Sequence, residues 1–315
     1  MRVLITGGAG FIGSHLTERL LEGGAEVLVL DNFATGRRDN LTPHPRLTLS
    51  EGTIVDVDFV NQAFERFRPE QVVHAAASYK DPENWAEDAA TNVVGTSQVV
   101  QAARRFGVER FIYFQTALCY GLIPQEQPIT LAHPLNPEAS SYAISKTAGE
   151  SYIRLSGLNW ISFRLANAYG PRNLSGPLPT FYQRLATGKP CFVMDTRRDF
   201  LFVDDLVRIV LSALSGRGRS GIYHVSSGAD LSIQQLFHAT VKALGISPEP
   251  QVEVRPRGKD DAFTILLDPS HTHEEFDWKV STPFETGVAR AVGYYQRFGV
   301  ERTFTHLKLD DKPAV

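Results

Sequence analysis

The segment Val3-Leu4-Ile5-Thr6-Gly7-Gly8-Ala9-Gly10-Phe11-Ile12-Gly13 constrains this chain more than any other. A short apolar run ends in a glycine-rich turn, and an amphipathic stretch follows from Ile12 to Leu21. Strand, tight turn and helix in that order form the context of a dinucleotide fingerprint. Gly7 permits the turn. Gly10 lets the backbone approach a pyrophosphate at the helix N-terminus, where free N–H groups and the dipole favour anions. Gly13 lets the helix lie close to the strand. A second apolar run, Val27-Leu28-Val29-Leu30, ends at Asp31, eighteen residues past Gly13. A carboxylate there accepts hydrogen bonds from ribose hydroxyls and repels a 2′-phosphate, so NAD is expected over NADP. Arg37 and Arg38 argue weakly the other way and are read as solvated loop residues. An ordinary glycine turn is the plain alternative, but it does not account for the ordered strand, turn, helix and terminal acid.

Tyr142 and Lys146 stand four residues apart in a helical pattern. Positions i and i+4 share a helix face. A cation beside a phenol favours the phenolate, which gives an acid/base able to work near neutral pH.

The 315 residues suffice for a large core in one domain or two intimate ones. A net charge of −3 and a pI of about 6.3 suggest no polyanion-binding surface, so nucleic acid is not expected. Cys119 and Cys191 are read as reduced thiols of a cytoplasmic protein. No apolar run approaches the ~20 residues of a membrane span, and the opening strand leaves no room for a signal peptide.

Strands are expected at 2–6, 26–31, 46–49, 71–76, 109–115 and 159–166, with helices at 12–22, 58–67, 84–106 and 139–156. This alternation predicts an α/β fold: a Rossmann-type doubly wound parallel sheet covered on both faces, over residues 1–170. After Tyr169 the Gly/Pro-rich texture predicts a smaller mixed α/β lobe over 171–300, with segments near 199–230 returning to the first domain. Its helices are expected near 178–187, 203–214, 231–245 and 284–297, and its strands near 191–194, 222–225 and 251–254. Residues 301–315 read as a polar tail. The cleft at the carboxyl edge of the sheet is the expected site. Tyr79-Lys80-Asp81 follows the fourth strand and would reach that edge. His74, Cys119 and the His271/His273 pair are read as structural, with no metal site completed.

The motifs together resemble the extended short-chain dehydrogenase/reductases of the nucleotide-sugar epimerase/dehydratase group. They are the glycine turn, Asp31-Asn32, His74-Ala75-Ala76-Ala77, Asn92-Val93-Val94-Gly95-Thr96, Thr116-Ala117-Leu118-Cys119-Tyr120-Gly121, the Tyr142/Lys146 pair, Arg164-Leu165-Ala166-Asn167-Ala168-Tyr169-Gly170-Pro171-Arg172 and Arg198-Asp199-Phe200. Tyr79 to Trp85 and Thr116 to Gly121 further resemble epimerases of bacterial O-antigen gene clusters, the Wbm type. The resemblance implies NAD as cofactor and a nucleotide-diphosphate sugar as substrate. It implies Thr116, Tyr142 and Lys146 as the catalytic residues, with Thr116 bonding the reacting sugar hydroxyl. Lys146 would bond the nicotinamide ribose and depress the pKa of Tyr142. Phe11 and Ile12 would meet the pyrophosphate, while Asp31, Asn32, Thr35 and Gly36 surround the adenosine ribose. Ala75, Ala76, Ala77 and Asn92 would flank the cofactor, and Asn167 and Arg198 would hold the substrate diphosphate. The resemblance also implies a homodimer through the helices near 84–106 and 139–156.

Three positions depart from that pattern. Thr53 replaces an acid before Ile54, so adenine contacts are expected from Ile54 and Asp56. The Arg255-to-Asp261 segment is spaced differently from the family's second phosphate arginine, leaving Arg257 or Lys259 for that role. Leu165 stands where an aromatic is common. The relatives' dehydratases place Asp-Glu at 117–118 and their decarboxylases a Glu at 118; here these are Ala117 and Leu118, which transfer no protons. C4 epimerisation, which needs only hydride transfer and one proton relay, is the expected reaction. A dehydratase or ketosugar reductase and a non-catalytic NAD-binding regulator are the alternatives.

Overall fold

A computed structural model describes residues 1–79, 81–258 and 261–304. Its centre is a seven-stranded sheet in which every neighbouring pair is parallel. The first half supplies six strands: β1 (Arg2–Thr6), β2 (Glu26–Asp31), β3 (Leu47–Glu51), β4 (Gln71–His74), β5 (Arg110–Thr116) and β6 (Trp160–Leu165). Between them run α1 (Phe11–Glu22), α2 (Val57–Phe67), α3 (Trp85–Asp88), α4 (Thr96–Arg105) and α5 (Ser141–Leu155).

Side chains alternate across a strand, and the core divides accordingly. Val3 and Ile5 of β1 pack with Leu16 and Leu20 of α1, whereas Leu4 packs on the opposite face with Val60, Phe64, Val99 and Ile153. Both faces are therefore dry, as a parallel sheet requires.

The predicted helix over 84–106 is continuous but not uniform, because Ala89–Gly95 winds as a π-helix between α3 and α4. Such bulges occur where a side chain or backbone group is drawn out of the regular ladder. Here the buried Asn92 amide bonds both backbone groups of Ser78 and the Ser145 hydroxyl.

The second half contains β7 (Asn167–Tyr169), α6 (Pro177–Ala186), β8 (Phe192–Met194), β9 (Arg197–Arg198), β10 (Phe200–Phe202), α7 (Val203–Leu214) and β11 (Gly221–Val225). It continues with β12 (Leu231–Ser232), α8 (Ile233–Leu244), β13 (Glu253–Arg255), α9 (Ser270–Phe276) and α10 (Phe284–Phe298). The sheet order is β11-β6-β5-β4-β1-β2-β3, so β11 closes one edge beside β6. The small strands pair as β10 with β7, β12 with β9 and β13 with β8, outside the main sheet. β8 and β13 fall where strands were expected near 191–194 and 251–254. β7, β9, β10, β12 and α9 escaped the sequence reading, because two or three residues carry no resolvable periodicity and α9 is only about two turns long.

Candidate active site

A cavity of about 570 Å³ opens at the carboxyl edge of β1, β2, β4, β5 and β6. This is where a doubly wound sheet reverses its strand order and leaves a crevice. One wall contains Gly7, Gly10, Phe11, Ile12, Gly13, Asp31, Asn32, Thr35, Gly36, Thr53, Ile54 and Ala75 to Ala77, the residues expected to meet the cofactor. Thr116, Tyr142, Asn167 and Arg198 line the same cavity.

The glycine turn has little steric freedom. Gly7 has φ +69°, and a Cβ there would stand 2.7 Å from the Ala76 nitrogen. A Cβ on Gly13 would collide with the Gly7 carbonyl oxygen. Gly10 caps α1 without a side-chain bond, so the first-turn N–H groups are open to an anion. Asp31 is buried and accepts from the N–H groups of Ala9 (2.9 Å) and Phe33 (2.8 Å). A carboxylate has about four acceptor sites, so lone pairs remain for two ribose hydroxyls. Burial raises its pKa, while the Phe33 and Ala9 N–H groups oppose that shift. Arg37 and Arg38 are solvated, as expected, and form surface ion pairs with Asp39 and Glu51.

Some expected contacts fall elsewhere. Ile54 is in the wall, but Asp56 is not; its carboxylate caps α2 by accepting from Asp58 and Phe59 N–H groups. A helix start leaves N–H groups that attract such a side chain. Asn92 sits behind the wall with its amide consumed by Ser78 and Ser145. Its role is to brace the β4 loop against α5. Arg257 is also outside the wall and donates to the Asp261 carbonyl oxygen. Lys80 and Lys259 lie outside the described residues.

Beside the expected catalytic residues, Thr116 Oγ1 accepts from the Leu118 N–H at 3.2 Å. That leaves its own proton available for a ligand oxygen. Ala117 and Leu118 face the cavity as apolar surface. Tyr142 and Tyr79 meet edge to face, 6.5 Å between ring centres. Burial raises the Tyr79 pKa, with the Thr35 hydroxyl opposing. Tyr79 therefore stands between Tyr142 and Thr35, a placement the sequence indicated only by its position after β4.

Burial raises the Tyr142 pKa well above its ordinary value, and negative charge on Tyr79 and Asp88 adds to the effect. Lys146 is buried behind it, and its pKa is pushed down to about 7 by burial, with Glu150 opposing. The expected depression of the Tyr142 pKa by Lys146 does not emerge among the protein's own groups, where every contribution to Tyr142 raises it.

Arg198 is not the solvated neighbour of Arg197 that adjacency in sequence suggests. Arg197 bonds Asp230, whereas Arg198 bonds Asp261 at 2.5 Å and the carbonyl oxygens of Arg197 and Ala262. Asn167 leads β7 and is exposed toward the cavity. His74 is a core residue bonded to Thr6 and Thr96, with its pKa pushed down to about 3 by burial. Cys119 is fully buried, and burial pushes its thiol up to about 12. His271 stacks on Tyr223.

Comparison with known proteins agrees with this geometry. The pattern of the NAD dependent epimerase/dehydratase family matches residues 3–226. The UDP-glucose 4-epimerase of Mycolicibacterium smegmatis is 33% identical over 317 residues, covering 94% of this chain and 99% of that one. The Bordetella bronchiseptica enzyme WbmH, solved in complex with NAD+, is 54% identical with a TM-score of 0.93, covering 95% of this chain and 99% of that one. WbmG from the same organism, solved with NAD and UDP, is 46% identical with a TM-score of 0.90, covering 98% of this chain and 99% of that one.

Proposed function

Because the chain belongs to the NAD dependent epimerase/dehydratase family, we propose that it is a nucleotide-sugar C4 epimerase, with a UDP-hexose or UDP-hexuronic acid as substrate. The observation that carries this reading is the pairing of Thr116 and Tyr142 with an apolar Ala117-Leu118 wall in one cavity. Elimination of water needs a further acid/base pair, and neither wall residue carries a proton. The UDP preference is supported by the UDP-bound relative and the curated 4-epimerase.

NAD fits the donors present: open first-turn N–H groups for a pyrophosphate and a carboxylate at Asp31 for ribose hydroxyls. When bound, it supplies the reversible hydride acceptor and a positive ring beside Tyr142. Thr116 donates a hydrogen bond to the reacting sugar oxygen, keeping its own proton, and holds that oxygen against Tyr142. The Tyr142 phenolate takes the sugar hydroxyl proton and later returns it. A nearby positive charge offsets the burial that otherwise keeps this phenol protonated. Lys146 stabilises the phenolate electrostatically and bonds the nicotinamide ribose. Asn167 and the Arg198 guanidinium hold the diphosphate, a match of fork and phosphate oxygens. The nucleotide stays gripped while the sugar turns.

Assembly as a homodimer is part of the proposal. Trp85, Val94, Ile144, Tyr152 and Leu155 are exposed apolar residues on the two helical segments 85–105 and 141–155. No described helix is long and apolar enough to cross a membrane. A cytoplasmic site and a place in polysaccharide biosynthesis complete the reading, since nucleotide sugars are activated glycosyl donors.

The test is to incubate the NAD-loaded protein with UDP-hexoses and UDP-hexuronic acids and resolve C4 epimers. Interconversion without net NADH supports the reading. A stable 4-keto-6-deoxy product or stoichiometric cofactor consumption overturns it in favour of a dehydratase or reductase.

A further inference from the structure

Asp88 ends α3 and is only 1% exposed. Its Oδ1 has no hydrogen-bond partner among the described residues. Burying an ionised carboxylate oxygen without a partner is costly, and such groups are rare in native folds. The ordinary explanation is an acid placed near a helix N-terminus to meet the dipole. That explanation suits an exposed carboxylate or one accepting a backbone N–H, and Oδ1 does neither. Asp81 and Glu87 share the same wall but have partners: Asp81 accepts from the Glu83 N–H and Glu87 from the Asn84 amide.

Asp88 also forms part of the cavity wall, with Thr91, Tyr142 and Leu118. It is close enough to Tyr142 for its charge to act on that phenol. Tyr142 and Thr116 mark the reacting end, so Asp88 belongs to the end that receives the hexose. A carboxylate is acceptor-only, so its partner must be a donor.

We propose that Asp88 Oδ1 accepts a hydrogen bond from a donor on the hexose ring, a hydroxyl or an acylamino N–H, and selects sugars that carry one there. This rests on reading the cavity as a nucleotide-sugar site. The unsatisfied oxygen is then stability given up in the free protein and recovered on binding. Asp88 contacts substrate in this view, while Tyr142 alone moves the proton.

The experiment uses the Tyr142→Phe protein, loaded with NAD, so that binding is measured without turnover. Calorimetry compares UDP, UDP-glucose and UDP-N-acetylglucosamine, with and without Asp88→Asn. The expected result is that Asp88→Asn weakens at least one UDP-sugar about tenfold or more, the range for a bond to a charged group, and changes UDP less than twofold. The melting temperature of the sugar-free protein should not fall, because Oδ1 has no hydrogen bond to lose there. UDP-hexoses lacking one hydroxyl at a time should include one that binds both forms equally. Equal weakening of UDP and UDP-sugar would overturn the assignment, as would a fall in melting temperature with unchanged sugar affinity. So would a parent protein that binds neither sugar more tightly than UDP. Failure of the unmutated enzyme to epimerise would strike the proposed reaction and leave this binding result standing.

Discussion

Tyr113 holds Lys146 at both ends. Its hydroxyl donates to the Lys146 carbonyl oxygen at 2.9 Å, and the ammonium sits 4.0 Å from the centre of its ring. A desolvated cation over an aromatic face gains about 2 kcal/mol. With the Lys146 pKa pushed down to about 7 by burial, this contact helps to keep the charge that Tyr142 needs. Tyr113→Phe keeps the ring and should leave kcat within about threefold at pH 7. Tyr113→Leu removes the ring and should lower kcat by roughly tenfold, as a loss of ~1.4 kcal/mol would. Steady-state rates of the two variants decide it; equal rates would show the ring contact to be idle.

Tyr142→Phe should reduce turnover by more than about a thousandfold, within the span of general acid/base effects. The NAD content of the purified variant, read by absorbance after denaturation, should match that of the parent. Activity above a tenth of the parent's would remove Tyr142 from the proton path.

Gly13→Ala should purify without NAD. The added methyl meets the Gly7 carbonyl oxygen, so α1 must move away from β1 and take its N–H groups with it. A drop of several degrees in melting temperature should accompany the loss. A variant that retains full NAD occupancy contradicts the close-packed turn.

Arg198→Ala should weaken UDP by about tenfold or more while NAD remains bound. It also leaves Asp261 without its ion partner, so part of the effect is a local destabilisation. Arg198→Lys tests the fork: a lysine that restores only a fraction of the affinity identifies bidentate phosphate recognition. Isothermal titration with UDP and with NAD reads both sites.

Stability should fall as pH drops from about 6.5 to about 4. His224 is buried, and burial pushes its pKa down from 6.5 to about 4. Its Nδ1–H donates to the Asp268 carbonyl oxygen, and its Nε2 accepts from the Tyr120 hydroxyl at 2.6 Å. Tyr120 in turn accepts from Arg164 at 2.6 Å. The folded state holds His224 neutral while the unfolded chain takes up a proton, so unfolding is favoured as pH falls through this window. The contribution is complete above pH 6.5 and amounts to about 3 kcal/mol. His74 titrates in the same direction, so the measurement compares slopes: His224→Gln should flatten the melting-temperature profile between pH 6.5 and 4. An unchanged slope would refute the assignment.

Much of the site was legible because its chemistry needs local patterns. Gly7, Gly10, Gly13 and Asp31 follow from turn geometry and spacing, and each stands in the cavity wall. Tyr142 and Lys146 share a helix, but only packing shows that Lys146 faces Tyr113 and is screened from solvent. Asn92 was placed near the cofactor, yet its amide is spent behind the wall, a pairing with Ser78 and Ser145 that no spacing rule discloses. Arg197 and Arg198 are adjacent in sequence and opposite in partner, because alternate strand residues point to opposite sides. Asp88 went unnoticed because an acid in a first helical turn is commonplace until its burial is known.

The two walls of the cavity come from different stretches of chain. Residues up to Tyr142 supply the glycine turn, Asp31, Thr116 and Tyr142, while Asn167, Arg198, Ala262 and Ile265 line the cavity from the later half. Ala166 is the hinge of this division. A chimaera joined there to a relative would take its redox chemistry from one parent and much of its choice of nucleotide sugar from the other. The seam that such a hybrid must match is not the cavity but the contact of α1 with α7, where Leu16 and Leu20 share one core with Leu206 and Val210. Diversification of substrate is therefore limited by the fit of two apolar helix faces rather than by the catalytic groups.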